Sequence, residues 1–145
     1  MNKGVKINGD NNNYLSVKLK DILVQIGNEP CFKWAILWIY AVGELDGQKN
    51  ILEFESEVNL SKNIIVYDWQ QLVELSDKFE QIMEIVLIGS KDSHLLKRYS
   101  NIDEMHSSCD FTIELIDSSY WLIYSSDNII LDRICDKLPG ANYLH

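Results

Sequence analysis

The segment from Phe32 to Val42, FKWAILWIYAV, constrains this chain more than any other. Phe32, Trp34, Ile36, Trp38, Tyr40 and Val42 recur at period two, and Ala35, Leu37, Ile39 and Ala41 fall between them. Period two places each set on its own face of a strand. Both faces are apolar, so the segment predicts a central strand covered on both sides. Trp34 and Trp38 share one of those faces and are expected in the core, where aromatic residues dominate burial. Such a strand needs partners on each side and layers above and below.

The rest of the chain supplies them. Val5 to Ile7 can begin a short strand, and the Asn-rich Asn8 to Asn13 reads as a turn. Leu15, Leu19, Ile22, Leu23 and Ile26 predict a helix over Tyr14 to Ile26, stopped by Gly27, Asn28 and Pro30. Asp46-Gly47 marks a turn. Ile51 to Val58 reads as a strand with Leu52, Phe54 and Val58 on one face and Glu53, Glu55 and Glu57 on the wet face. Ile64 to Tyr67 is a further short strand. Asp68 with Gln71 three positions on is a capping-box pattern. It opens a helix whose buried side runs from Trp69 to Met83, followed by a strand at Ile85 to Ile88.

Ser90 to Ser108 is a long polar connection, with one helical turn expected at Leu95, Leu96 and Tyr99. Connections of that length are uncommon in compact domains and often functional. Cys109 to Ile116 and Tyr120 to Tyr124 predict a hairpin joined at Asp117-Ser118-Ser119. A last helix, capped by Ser125, Ser126 or Asp127, carries Ile130, Leu131, Ile134, Cys135 and Leu138 and ends at Pro139-Gly140. The 145 residues fit a single α+β domain, 1–145. The expected architecture is a mixed or mainly antiparallel sheet of about five to seven strands with three helices packed on it.

Charge narrows the function classes. With 22 acidic and 13 basic residues the net charge is −9. Nucleic-acid binding draws on Lys and Arg neutralising phosphates, so neither nucleic acid nor an anionic membrane is an expected partner. Attraction to basic proteins is favoured instead. Met1 to Asp10 is polar, so no signal peptide is expected. The longest apolar run, Trp34 to Val42, falls well short of the ~20 residues of a membrane helix. The three cysteines, Cys31, Cys109 and Cys135, form no CxxC pair. A reducing cytoplasm is the simplest setting.

Motifs for catalysis are sparse. His106 and Cys109 form an H-x-x-C pair with His94 upstream, but zinc needs three or four converging ligands. The third histidine, His145, is the last residue. No metal site is therefore expected. A Cys109–His106 dyad would need an oxyanion site that the sequence does not announce. Ser118 and Ser119 belong to a turn. The seven glycines are scattered and form neither G-x-G-x-x-G nor a P-loop, so no cofactor is expected. Glu53, Glu55 and Glu57 on one strand face read first as a solvated edge that resists aggregation, and second as a surface for a basic partner. Trp69 and Trp121 are further core residues or partly exposed anchors.

The segments DWQQLVELSDKFEQIMEIVLIG (68–89) and CDFTIELIDSSYWLIYSSDNIIL (109–131) resemble small bacterial proteins, some of the immunity-protein type. The resemblance covers the C-terminal half and rests on an Asp-Trp helix start and a Ser-Tyr-Trp hairpin. It implies an acidic bacterial cytoplasmic protein and carries no functional residue over. Together with the charge it leads to the expectation of a non-enzymatic binding protein, an immunity- or antitoxin-like chain that occludes a basic toxin domain. Glu53, Glu55, Glu57 and Asp117 are the expected contact charges, with Trp121 as anchor. The alternative is an enzyme or small-ligand protein with its site near the 90–108 loop, at His94, His106 and Cys109. A homo-oligomer joined through an exposed Trp or strand edge is a third expectation.

Overall fold

The computed structural model describes residues 2–9, 15–28, 31–45 and 50–144. The Asn8–Asn13 turn, Tyr14, Pro30, the Asp46-Gly47 turn and His145 lie wholly or partly outside them; the helix expected from Tyr14 begins only at Leu19, because residues 15–18 are extended or irregular. The described residues build an α+β fold around a seven-stranded sheet. The elements in chain order are β1 (Lys3–Asn8), α1 (Leu19–Ile26), β2 (Lys33–Gly43), α2 (Ile51–Leu60), β3 (Val66–Tyr67), α3 (Trp69–Ser76), β4 (Phe79–Ser90), α4 (Ile102–Ser108), β5 (Phe111–Ile116), β6 (Tyr120–Ser125), α5 (Asn128–Lys137) and β7 (Ala141–Tyr143). The strand order is β3-β2-β4-β5-β6-β1-β7, with every pairing antiparallel. The helices number five among the described residues, against the three expected from pattern alone.

β2 is the long strand that its sequence predicts, eleven residues paired along its length with β4. Two boundaries change around it. The helix opened by Asp68 stops at Ser76, whose hydroxyl donates to the Val73 carbonyl, and β4 begins at Phe79. Glu80, Gln81 and Glu84 are good helix formers, but an eleven-residue strand needs an equally long partner, and that pairing overrides local propensity. Ile51–Leu60 is a helix rather than a strand. The Asn50 side chain accepts from Glu53 N–H at 2.8 Å, and Phe54 and Val58, four apart, enter the main core.

The main core lies on one face of the sheet. α1, α3 and α5 pack there, with Leu19, Ile22, Leu23 and Ile26 of α1 all buried. Trp34, Phe32 and Phe111 form an aromatic group on that face. Gly89 permits it, because a Cβ there would stand 2.6 Å from the Trp34 ring. The second face carries a smaller core of Ala35, Leu37, Ile88, Leu96, Met105 and Cys109. It is made by the 91–109 segment, which folds into a 3-10 turn at Ser93–Leu95 and then α4, capped by the Asn101 side chain. No helix among the described residues is long and apolar enough to cross a membrane.

Trp34 and Trp38 are not on the same face. The pairing with β4 slips between Ile36 and Trp38, so Leu37 and Trp38 together oppose the step from Leu87 to Val86. One extra residue in a strand inverts the facing of all that follows. Trp34 and Ile36 therefore enter the main core, while Trp38, Tyr40 and Val42 emerge on the second face, where they are exposed. The expectation that β2 is covered on both sides holds only for its first half.

Candidate functional site

The outer edge of β2 shows how that strand is held. β3 pairs with it only at Trp34 and Ala35. Beyond them, side chains take the place of a neighbouring strand. The Asn59 amide accepts from Ile39 N–H and donates to Ile39 C=O, both at 2.9 Å, as a paired backbone would. Glu55 Oε1 accepts from Ala41 N–H at 2.8 Å. Arg98 donates to the carbonyls of Leu37, Val58 and Ser61, joining the bulge of β2 to the C-terminal turn of α2. Unpaired edge groups invite another strand; here Asn59, Glu55 and Arg98 occupy them.

With the edge closed, the second face divides in two. At the Ile88–Thr112–Tyr124 level the 91–109 segment covers the sheet. His106 of α4 marks its border: the ring stacks on Tyr124 at 4.0 Å, and Nε2 lies 2.7 Å from Glu114 Oε2. One level further along, Glu114 of β5 is still buried beneath His106, while the side chains of β2 are exposed. Trp38 is 45% exposed, Tyr40 53% and Val42 42%. Val86 pairs with Trp38 and with Glu114, Glu114 with Leu122, and Leu122 with Lys6, which continues the row across the sheet. Glu84 stands directly opposite Tyr40, and the Trp38 indole N–H donates to its Oε2 at 3.2 Å. The result is a surface at the β2 side of the sheet with two exposed aromatic rings beside the Glu84 carboxylate.

The side chains singled out by sequence do not assemble into one surface. Glu53 and Glu57 are exposed on α2, and Glu55 is engaged at the β2 edge. Asp117 is exposed at the hairpin tip, where it and Ser118 take φ of 50° and 59°. Trp121 is 2% exposed, with its indole N–H donating to the Val17 carbonyl at 2.9 Å. It offers no anchor on the surface. Trp69 likewise donates inward, to Leu23 C=O.

His94, His106 and Cys109 do not converge either. His94 is exposed in the 3-10 turn, His106 engages Glu114, and Cys109 Sγ lies near Tyr99 Oη and the Leu95 carbonyl. Burial pushes the Cys109 thiol up, against the activation that a nucleophile needs. Burial also raises the Tyr99 and Tyr124 phenols. Among the described residues no three His, Cys, Asp or Glu side chains stand where a metal could take them.

The 90–108 segment is anchored by Leu96 and Met105, and the space next to Arg98 is only about 10 Å³. A larger groove of about 520 Å³ opens elsewhere, between the start of α1, the start of β4 and the β5–β6 hairpin. Leu15, Phe79, Ile82, Leu115 and Trp121 line it, and Lys20 pairs with Asp77 at 3.0 Å along its rim. Sequence reasoning missed the surface at Trp38 because the bulge that turns the strand over has no local signature. No protein-family model matches the chain, and neither a curated protein nor a solved structure matches it.

Proposed function

We propose that this chain is a non-enzymatic binding protein that holds a basic protein partner on the uncovered half of its sheet. The reading rests on one observation: Trp38, Tyr40 and Val42 lie together, exposed, on a sheet face whose other half is buried. A contiguous exposed apolar patch of large side chains is the usual mark of an interaction site, and Trp and Tyr are the residues enriched at binding hot spots. The net charge of −9 supplies attraction to a basic partner at distance. An immunity-type protein that occludes a basic toxin domain is the most concrete form of this reading.

Immobilised wild-type chain, the double variant Trp38→Ser/Tyr40→Ser and Ile129→Ser, exposed on α5, test the proposal together. A basic partner retained by the wild type and by Ile129→Ser, and lost from the double variant, is the expected result. Equal retention by the double variant overturns the surface. A solution mass of two chains that the double variant returns to one would assign the face to a second copy and contradict the basic partner.

The groove beside Trp121 favours a second reading, a small-ligand protein. Its volume lies in the range of small-molecule sites, roughly 300–1,000 Å³. A ligand screen that shifts the indole signals of Trp121 and leaves Trp38 unmoved would favour it.

A further inference from the structure

The exposed surface contains an arrangement more specific than an apolar patch. Trp38 and Tyr40 are two residues apart on the same face of β2, so their rings are neighbours along the strand. Glu84 faces Tyr40 across the ladder and accepts the Trp38 indole N–H through Oε2. The carboxylate is thus fixed beside two exposed rings. Among the described residues no cation pairs with Glu84, and its Oε1 has no donor. Among the described residues, the lysines that lie over aromatic rings occupy other rings: Lys3 on Tyr143, Lys6 on Tyr120, Lys91 on Phe32 and Lys97 on Tyr99.

We infer that Trp38, Glu84 and Tyr40 form an acceptor for an arginine side chain of the protein partner. A guanidinium is planar and stacks on aromatic faces, while its N–H groups match a carboxylate. An ammonium offers only a point charge, so arginine is favoured over lysine. The indole N–H orients the carboxylate before the partner arrives, which reduces the ordering that binding requires. The inference rests on the proposed docking face and names the chemistry that the face reads.

The test needs no partner. The full isotopically labelled chain is titrated with acetyl-Gly-Arg-Gly-amide and with its citrulline twin, which keeps the shape and lacks the charge. The expected result is a saturable shift of the Trp38 indole N–H with the arginine peptide, at least about tenfold weaker with citrulline. Glu84→Gln, which keeps an acceptor for the indole, should weaken the arginine peptide by a similar factor, and Glu53→Gln should leave it unchanged. Equal shifts from both peptides, an unaltered Glu84→Gln titration, or shifts spread evenly over the acidic surface would overturn the inference.

Failure here is distinct from failure of the docking face. A partner lost from Trp38→Ser/Tyr40→Ser but held fully by Glu84→Gln keeps the face and removes the arginine.

Discussion

β2, β4, β5 and β6 run through both halves of the second sheet face, and both halves carry apolar side chains. In one half Ala35 and Ile88 are 0% exposed; in the other Trp38 and Tyr40 are 45% and 53% exposed. Side-chain size does not explain the difference, because the open half bears Trp38 and Tyr40, both larger than the buried Ala35 and Ile88. What differs is the cover. Leu96, Met105 and Cys109 are brought down over Ala35, Leu37 and Ile88 by the 91–109 segment, whereas Trp38 and Tyr40 stay exposed. The lesson is that an apolar strand face is core only where the chain returns to it. Where it does not return, the same chemistry becomes a surface for something else.

Truncation in the two halves should have opposite consequences. Ile88→Ala in the covered half should cost about 2–5 kcal/mol, the range for emptying a buried aliphatic site. Trp38→Ser in the open half should cost less than about 1 kcal/mol, as expected for an exposed position. Urea unfolding midpoints of the two variants check this, and similar losses would mean that Trp38 is structural.

Arg98 stands at the boundary between the halves, where it donates to Leu37, Val58 and Ser61. Its replacement by Ala should cost about 1–3 kcal/mol through unsatisfied carbonyls. Amide exchange should quicken around the bulge and the end of α2. A loss confined to α4 would place its role elsewhere.

Asn59→Ala should cost about 1–2 kcal/mol, and Glu55→Ala a similar amount. Both should raise concentration-dependent self-association by freeing the edge groups of Ile39 and Ala41. Light scattering over a concentration series measures this; association unchanged in the Asn59→Ala/Glu55→Ala double variant would show that α2 shields the edge by bulk alone.

The smallest effect concerns pH. Burial raises the Cys109 thiol above its ordinary value of 9.0 and the Tyr99 and Tyr124 phenols above 10.0. All three lie in or beside the covered half. The folded chain then holds these protons when the unfolded chain has released them. Their contribution is fully present below the ordinary values and is lost as pH rises through the folded ones. The urea midpoint should therefore fall as pH rises above about 9, and Tyr99→Phe should reduce the fall. A midpoint flat to pH 11 would contradict it.

Legibility in the sequence followed the range of the interactions. α1, α5, the β5–β6 hairpin and the burial of Trp34 were readable because their patterns are local. Ile51–Leu60 misled because Leu52, Phe54 and Val58 suit a strand; Ser56 breaks that alternation, and the Glu-rich composition favours a helix. β4 was shortened because only its pairing with β2 overrides the helix formers at its start. β7 was missed because Pro139-Gly140 reads as an end, whereas it turns the chain back onto β1. The candidate surface was hidden by a single bulged residue. Four Trp gave no ranking of which was exposed, and the exposed one is the one that parity assigns to the core.

Binding isotherms against the partner recovered with the full chain decide whether the uncovered half of the sheet holds it. Trp38→Ser/Tyr40→Ser in the open half is compared with Ile102→Ser, exposed on α4 over the covered half. The open-half variant should bind at least about a hundredfold more weakly, roughly 2.7 kcal/mol, and the α4 variant as tightly as the wild type. The opposite order, or no change in either, would contradict the assignment of binding to the uncovered half of the sheet.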